Sequence, residues 1–400
     1  MTRRILFVCR TLAGEALRYA KAIKELDDVT LLVVSEHPDV SELIEAAKNF
    51  APLDKIVTAQ ETLLAAVAEA NEALNLDAMR SEVVTRTLDK SKLKSTLRLA
   101  GVKTPYDEVV ASVDDARRFV NDTGFPIVIK SMNGSGALTT FRITTDEQLT
   151  SIFKLIDAPV IAQAYVNGQE LCFDTVTLAN EPQCYSVCRY NPPIIEALED
   201  PHRQWRCVMP RDHSAYEDFI REGLNAVRAL KVGNAITHME GFIDAGFIDA
   251  TLRPAGARIG PMFGFAFDVD PYRLWARVAV DGVFDGPLEQ RYAVGTIFLR
   301  GRGSGSVQTI NGAEVIRHEL LDLVVEARWP QVGVAKSATY TGDGFITVRH
   351  PDSSVVENAL DFIDQTIRIT YTGADTQQTN WSHRLQNFNE LNRPAWETTT

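Results

Sequence analysis

Gly124-Phe-Pro-Ile-Val-Ile-Lys130-Ser-Met-Asn-Gly134-Ser-Gly136-Ala137 is the stretch around which the rest of the chain can be organised. An apolar run ends on one lysine and passes directly into a loop of small residues. This predicts a strand over 127–130 that delivers an ammonium beside backbone N–H groups free to approach an anion, a phosphate grip. A strand ending in lysine before a glycine turn is also what an ordinary hairpin looks like. The phosphate reading gains its weight from residues farther along the chain.

Composition narrows the function classes. Four hundred residues are too many for one ordinary core and imply two or three packed lobes; 45% hydrophobic and 24% charged content describe a globular protein rather than a disordered one. A formal net charge of −12, with no long stripe of Lys and Arg, argues against a nucleic-acid partner. No apolar run reaches membrane-spanning length, and the five-residue apolar stretch after Met1-Thr-Arg-Arg4 is too short for a signal-peptide core, so the expected location is the cytoplasm. The five cysteines are scattered, and Cys184-x-x-x-Cys188 has no second pair at zinc spacing, which predicts buried free thiols.

The chain opens as β-α-β, with a strand at 5–8, a helix at 13–26 and a strand at 29–34, and this predicts a parallel sheet. Segments 41–48, 55–58 and 61–74 extend that α/β lobe to about residue 88. Leu12-Ala-Gly14-Glu15 sits at the first strand-to-helix turn but lacks a full G-x-G-x-x-G, so a dinucleotide site is not expected there. A helix over 89–100 carries Lys90, Lys92 and Lys94 and is stopped by Gly101 and Pro105. From 106 to about 177 strands and short helices alternate in a small α+β lobe, with helices at 114–123 and 145–155 and strands at 138–143 and 160–166. Long β segments continue the chain from 169, with a helix at 214–230.

The second informative stretch is His238-Met-Glu240-Gly-Phe-Ile-Asp-Ala-Gly-Phe-Ile-Asp249-Ala-Thr251-Leu-Arg253. The repeated Gly-Phe-Ile-Asp predicts a hairpin of 235–243 with 246–253. A two- or four-residue loop centred on Asp244-Ala245-Gly246 places Glu240 opposite Asp249, whereas a three-residue loop slips the register by one. Period-2 alternation adds Thr251 and Arg253 to the face of Asp249. Facing carboxylates are destabilising unless a cation lies between them, which suggests an Mg²⁺ site; a hairpin with a solvated acidic face is the other reading.

Lys90, the Lys130 strand with its Gly134-Ser135-Gly136 loop, Gln163-Ala-Tyr-Val166-Asn-Gly-Gln-Glu170 and the acidic hairpin occur in this order across about 165 residues. Together they resemble the ATP-grasp superfamily, most closely its carboxylate–amine ligase branch, which includes L-amino-acid ligases. The resemblance implies an α/β and α+β multidomain architecture: a pre-ATP-grasp parallel α/β domain (1–88), a small lid region (89–175), a large domain with a β-rich C-terminal part (176–372) and a polar tail (373–400). It further implies ATP and Mg²⁺ as cofactors, a carboxylic acid such as an amino acid and an amine as substrates, and an acyl-phosphate intermediate with release of ADP and phosphate. Position by position, Lys90 and Lys130 match the lysines that contact the nucleotide phosphates, with Gly134, Ser135, Gly136 and Ala137 as the loop over them. Gln163 and Val166 fall where the adenine edge is read, and Glu170 where the ribose hydroxyls are held. Glu240, Asp249 and Thr251 match the metal ligands, and Arg253 with Lys130 the catalytic cations.

Three positions depart from the family pattern: Gln163 stands where Glu is frequent, Asp249 where Glu is usual and Thr251 where Asn is usual. The amide oxygen of Gln163 is expected to accept from the adenine amino group; the shorter Asp249 and Thr251 bear on a second metal. The alternatives are a non-catalytic nucleotide-binding protein, and an ATP-grasp carboxylase or acid–thiol ligase, for which no biotin-attachment or CoA-binding segment is visible. His238 is either a substrate contact or a structural histidine, and Arg189, Arg206 and Arg211 are candidates for gripping a substrate carboxylate. Segments 191–210 and 260–270 read as irregular specificity loops. Near-helical spacing of Trp381, Leu385, Phe388 and Leu391 makes 376–392 either a disordered tail or an amphipathic segment docking on the body or on a second subunit, as in a homodimer.

Overall fold

Strands Arg3–Val8, Val29–Val34 and Lys55–Val57 pair in parallel, with the first strand in the middle, as the β-α-β opening requires. The structure is a computed structural model that describes residues 2–132, 139–156 and 159–374. The predicted loop residues Gly134, Ser135 and Gly136 and the predicted segment 376–392 lie outside the described residues. The N-terminal sheet is covered on one side by helices Val40–Asn49 and Leu64–Ala73. On the other side, helix Gly14–Lys24 packs on helix Pro271–Ala276, where Tyr19 meets the rings of Tyr272 and Trp275 edge-on at 4.9 and 4.8 Å. Burial of these rings fixes the N-terminal lobe against the rest of the chain.

The small lobe is a four-stranded antiparallel sheet of Asp107–Val110, Val160–Ala164, Ile127–Lys130 and Thr140–Ile143, in that spatial order, packed on helices Val113–Thr123 and Asp146–Phe153. The largest sheet has eight strands in the order Gly246–Thr251, Ala235–Phe242, Glu170–Leu178, Glu181–Asn191, Trp205–Met209, Ala293–Leu299, Gly344–His350 and Val324–Arg328. Helices Ser81–Leu88, Lys90–Leu99 and Glu217–Leu230 pack on its first strands. All five cysteines are free and buried. No helix among the described residues is long and apolar enough to cross a membrane.

Two expectations about irregular segments are corrected. Residues 260–270 lie mostly in helix Ile259–Phe267, and 191–210 contains helix Ile194–Glu199 and strand Trp205–Met209. Helix Ile259–Phe267 is buried on nearly every side, so its sequence carries no polar face and no 3.6-residue alternation.

The hairpin reaches the expected pairing by an unexpected route. Phe242 pairs with Gly246, so the loop has three residues, the length that should slip the register. A bulge comes immediately after: Gly241 pairs with Phe247 but Glu240 with Asp249, leaving Ile248 as the additional residue. The two irregularities cancel, and Glu240 faces Asp249. Gly246 makes this turn with φ +81°. The Phe247 N–H donates to the Lys103 carbonyl at 3.0 Å, and a Cβ on Gly246 would lie 2.0 Å from that oxygen.

Gly246→Ala therefore meets both a left-handed backbone and a backbone clash, and should destabilise the protein by about 2–4 kcal/mol. Urea denaturation checks this; a midpoint equal to wild type would show that the turn tolerates a Cβ.

Candidate active site

The helix that enters the site has lysines where its core residues should be. Asp89 caps helix Lys90–Leu99 by accepting from the Ser91 and Lys92 N–H groups, each at 3.0 Å. Its buried residues are Lys90, Leu93, Lys94 and Leu97, the i, i+3, i+4, i+7 stripe of a core-facing helix. Leu93 and Leu97 enter the cluster of Phe173, Phe219 and Phe247, and so bind the helix to the back of the large sheet. From the same stripe Lys94 extends to the small lobe and Lys90 to the hairpin. Lys94 was not singled out from sequence; its i+4 spacing from Lys90 within a buried stripe is the signal that could have found it.

Each ammonium meets an oxygen. Lys90 Nζ lies 2.7 Å from Asp249 Oδ2, which joins the entry helix to the hairpin. Lys94 Nζ donates to Gln163 Oε1 at 2.8 Å and lies 3.3 Å from Asp107 Oδ2. Lys130 Nζ donates to the same Gln163 oxygen at 3.2 Å. The oxygen expected to meet an adenine amino group is thus taken by two lysines. Burial, together with Lys130, pushes Lys94 down to about 7, and burial, with Lys90 adding to it, also lowers Lys130. Glu170 accepts from the Ile194 N–H at 2.6 Å, and burial beside Glu240 pushes it up to about 8.

On the far side of the hairpin acids, Tyr190 donates to Glu240 Oε1 at 3.1 Å, and His238 Nε2 lies 3.5 Å from the same oxygen. His238 Nδ1 lies 2.8 Å from Asp174 Oδ1. Burial alone would lower the imidazole, but Asp174 outweighs it and holds His238 well above its ordinary value, as a cation between two carboxylates. Burial likewise opposes ionisation of Glu240, and the His238 and Tyr190 donors with the nearby charge of Arg253 overcome it, leaving its carboxyl below the usual range. Cys172 donates from Sγ to Asp174 Oδ2 at 3.2 Å, behind the dyad. His238 therefore has both a packing role and a place on the cavity wall, among the lining residues.

Arg253 crosses to the N-terminal lobe: Nη2 and Nε donate to Glu61 Oε2 at 2.6 and 3.0 Å, and Nη1 to the Pro254 carbonyl at 2.8 Å. Thr251 Oγ1 is buried with no hydrogen-bond partner among the described residues. Glu240, Asp249 and this hydroxyl form an all-oxygen set with an unsatisfied member, which suits a hard divalent cation such as Mg²⁺.

Two cavities meet at the hairpin. One is lined by Lys90, Lys130, Gln163, Val166, Glu170 and the apolar Ile248; the other by Glu61, Tyr190, His238, Thr251, Arg253 and Tyr340. Glu240, Asp249 and Ile194 belong to both. None of the three arginines proposed as carboxylate grips lines either cavity. Arg189 pairs with Glu357 and Arg206 with Asp361, both on helix Ser353–Thr366, and the Arg211 N–H donates to Ser353 Oγ at that helix's start. The strand positions of Arg189 and Arg206 turn them to the helix layer, and Arg253 is the arginine on the cavity wall.

Residues 87–177 match the RimK-like ATP-grasp domain. The alanine–anticapsin ligase of Bacillus subtilis is 23% identical over 300 residues, 63% of this chain and 62% of the relative. An L-arginine-specific L-amino acid ligase of Bacillus subtilis is 22% identical over 231 residues, 56% of this chain and 54% of the relative. The chain thus spans less than two thirds of these curated relatives. A solved L-amino acid ligase from Bacillus licheniformis covers 93% of this chain and 99% of its own with a TM-score of 0.71 at 17% identity. N5-carboxyaminoimidazole ribonucleotide synthetase from Thermotoga maritima gives 0.68 at 16% identity, over 92% and 99% of the two chains. The fold is that of the ATP-grasp ligases.

The Lys94 value carries a testable sign. Its folded pKa of about 7 lies below the 10.5 of an ordinary lysine, so between these values the unfolded chain holds more protons. Stability is therefore gained as pH rises from 7 towards 10, and the penalty is fully present below 7. Lys94→Met should flatten, though not abolish, this slope, because Lys130 is lowered in the same sense. Urea midpoints at pH 7 and pH 9 provide the measurement.

Proposed function

We propose that this chain, a member of the ATP-grasp carboxylate–amine ligase branch, activates a small carboxylic acid with ATP and joins it to an amine. An amide or peptide bond forms through an acyl phosphate, with release of ADP and phosphate. The observation that carries this reading is the pair of cavities sharing Glu240 and Asp249. One wall offers lysines to phosphates, and the other offers a guanidinium to an anion, with the two carboxylates at the boundary. A γ-phosphoryl group crossing that boundary passes from nucleotide to acceptor. The names of the amino acid ligase relatives support an amino acid as the acid.

The chain's own groups have distinct tasks. Lys90 and Lys130 neutralise phosphate oxygens, and because both are buried and lie 2.7 and 3.2 Å from carboxylate or amide oxygens, each exchanges one oxygen for another when the nucleotide enters. Water excluded from these ammoniums strengthens their interaction with developing charge. Glu170 lies where ribose hydroxyls are met. Arg253, fixed by Glu61, holds the acceptor carboxylate and the oxyanion that forms when the amine attacks. His238, held at 2.8 Å by Asp174 and lying 3.5 Å from Glu240, orients Glu240. Glu240, Asp249 and Thr251 would hold Mg²⁺, which when bound supplies charge neutralisation at the phosphates.

In this scheme Glu240→Gln lowers turnover about a hundredfold to a thousandfold, and Arg253→Ala impairs acyl-phosphate formation more than ATP affinity. Lys130→Ala weakens ATP binding without loss of stability, since it removes a buried, desolvated cation. Product analysis with Mg-ATP and an amino-acid library is the decisive assay: ADP and phosphate are expected, and stoichiometric AMP would overturn the mechanism.

A further inference from the structure

The cavity that holds Arg253 is a small space with firm walls. Its volume is about 60 Å³. One water needs roughly 10–15 Å³ of such space, so only a few water-sized groups fit, the size of glycine or alanine. Beside the charged Glu240, Asp249 and Arg253 its wall is aromatic, made by Tyr190, Trp205 and Tyr340. Tyr190 donates to Glu240 Oε1 at 3.1 Å, so the aromatic wall begins directly at the hairpin acids. The Trp205 ring meets Tyr190 edge-on at 5.3 Å and Tyr340 at 5.0 Å, which makes the three rings one continuous surface.

Two of these rings are fixed. Tyr190 and Trp205 are 1% and 0% exposed, Trp205 stacks on Phe298 at 5.1 Å, and its Nε1 donates to the Pro192 carbonyl at 2.9 Å. Displacing either would break a buried hydrogen bond and open a void in a close-packed core. Tyr340 is only partly buried and stands on the connection between strands Val324–Arg328 and Gly344–His350. The turn that carries it is nevertheless braced. The Gly342 N–H donates to the Thr339 carbonyl at 3.1 Å, the Thr339 and Thr341 hydroxyls share a hydrogen bond at 2.8 Å, and the Asp343 N–H donates to the Leu299 carbonyl at 3.1 Å. Gly342 takes φ +60°, and a Cβ there would lie 2.5 Å from the Leu299 oxygen, so the turn sits flush on strand Ala293–Leu299.

From this enclosure we propose that Tyr340 is a specificity-determining residue that limits the size of the acid, so that the chain activates glycine or alanine and rejects amino acids with branched or aromatic side chains. The volume is that of the whole cavity, so the limit holds whichever end of the acid meets the aromatic wall. The inference rests on the proposed ligase reaction and concerns only the size of its acid.

Hydroxylamine serves as one common amine, because it displaces phosphate from any acyl phosphate and leaves a hydroxamate. The full chain is given Mg-ATP, hydroxylamine and glycine, alanine, leucine or phenylalanine, and ADP and hydroxamate are measured. Wild type should favour alanine over leucine by about a hundredfold or more in kcat/KM. Tyr340→Ala should lower KM for leucine and shrink that ratio about tenfold or more, whereas Tyr340→Phe, which keeps the ring, should keep the wild-type ranking of acids. Wild-type turnover of leucine or phenylalanine equal to that of alanine, or a ratio unmoved in Tyr340→Ala, would overturn the inference while leaving the ligase reaction standing. No ADP with any of the four acids would overturn the inference, and none across a full amino-acid library would overturn the ligase reading with it.

Discussion

Buried ammonium charge is the constraint on which this architecture turns. Lys90, Lys94 and Lys130 are each at most 7% exposed; after burial itself, Lys130 adds to the lowering of Lys94, and Lys90 to that of Lys130. An isolated buried ammonium is expensive, so the fold must supply oxygens. It takes them from three separate elements: Asp249 from the hairpin, Asp107 from one strand of the small lobe and Gln163 from the next. The small lobe and large sheet are thereby joined through polar contacts with an electrostatic deficit. Two carboxylates and one amide answer three ammoniums.

Much of this could be read from residue order. The strand ending at Lys130 and the capped helix beginning at Lys90 arise from short-range patterns whose period the backbone enforces, whereas the facing of Glu240 and Asp249, expected from an even loop, is reached through a three-residue loop and a compensating bulge. The features that escaped did so for equally physical reasons. Helix Ile259–Phe267 is apolar all round and has no period to detect. Arg189 and Arg206 were plausible anion grips because a sequence does not disclose that helix Ser353–Thr366 brings Glu357 and Asp361 across to them. The Gln163 amide could be placed at the base edge by resemblance, but that its oxygen receives Lys94, 69 residues away, could not be read.

Arg253 and Glu61 add a link of another kind. The guanidinium belongs to the strand-end of the hairpin, and its carboxylate partner to the N-terminal lobe, 192 residues distant in sequence. Two donors of the guanidinium converge on one carboxylate oxygen, which makes the pair directional as well as attractive. The N-terminal lobe is therefore aligned by a residue of the cavity wall, and Tyr19, Tyr272 and Trp275 supply the apolar burial that makes the alignment durable.

The acidic hairpin behaves as a parity device. Each residue added to or removed from a tight loop inverts which side of the ribbon every later side chain occupies, and a bulge inverts it again. Here two inversions compose to the identity: a three-residue turn and one bulge leave Glu240 and Asp249 on a common face. Relatives with loops of other lengths can therefore preserve the same carboxylate pair if the number of inversions stays even, so alignments that track loop length alone will misplace the second acid by one position. Ile248, the residue the bulge leaves over, joins Asp249 on the cavity wall, so the bulge also contributes an apolar wall to the cavity of Lys90 and Lys130.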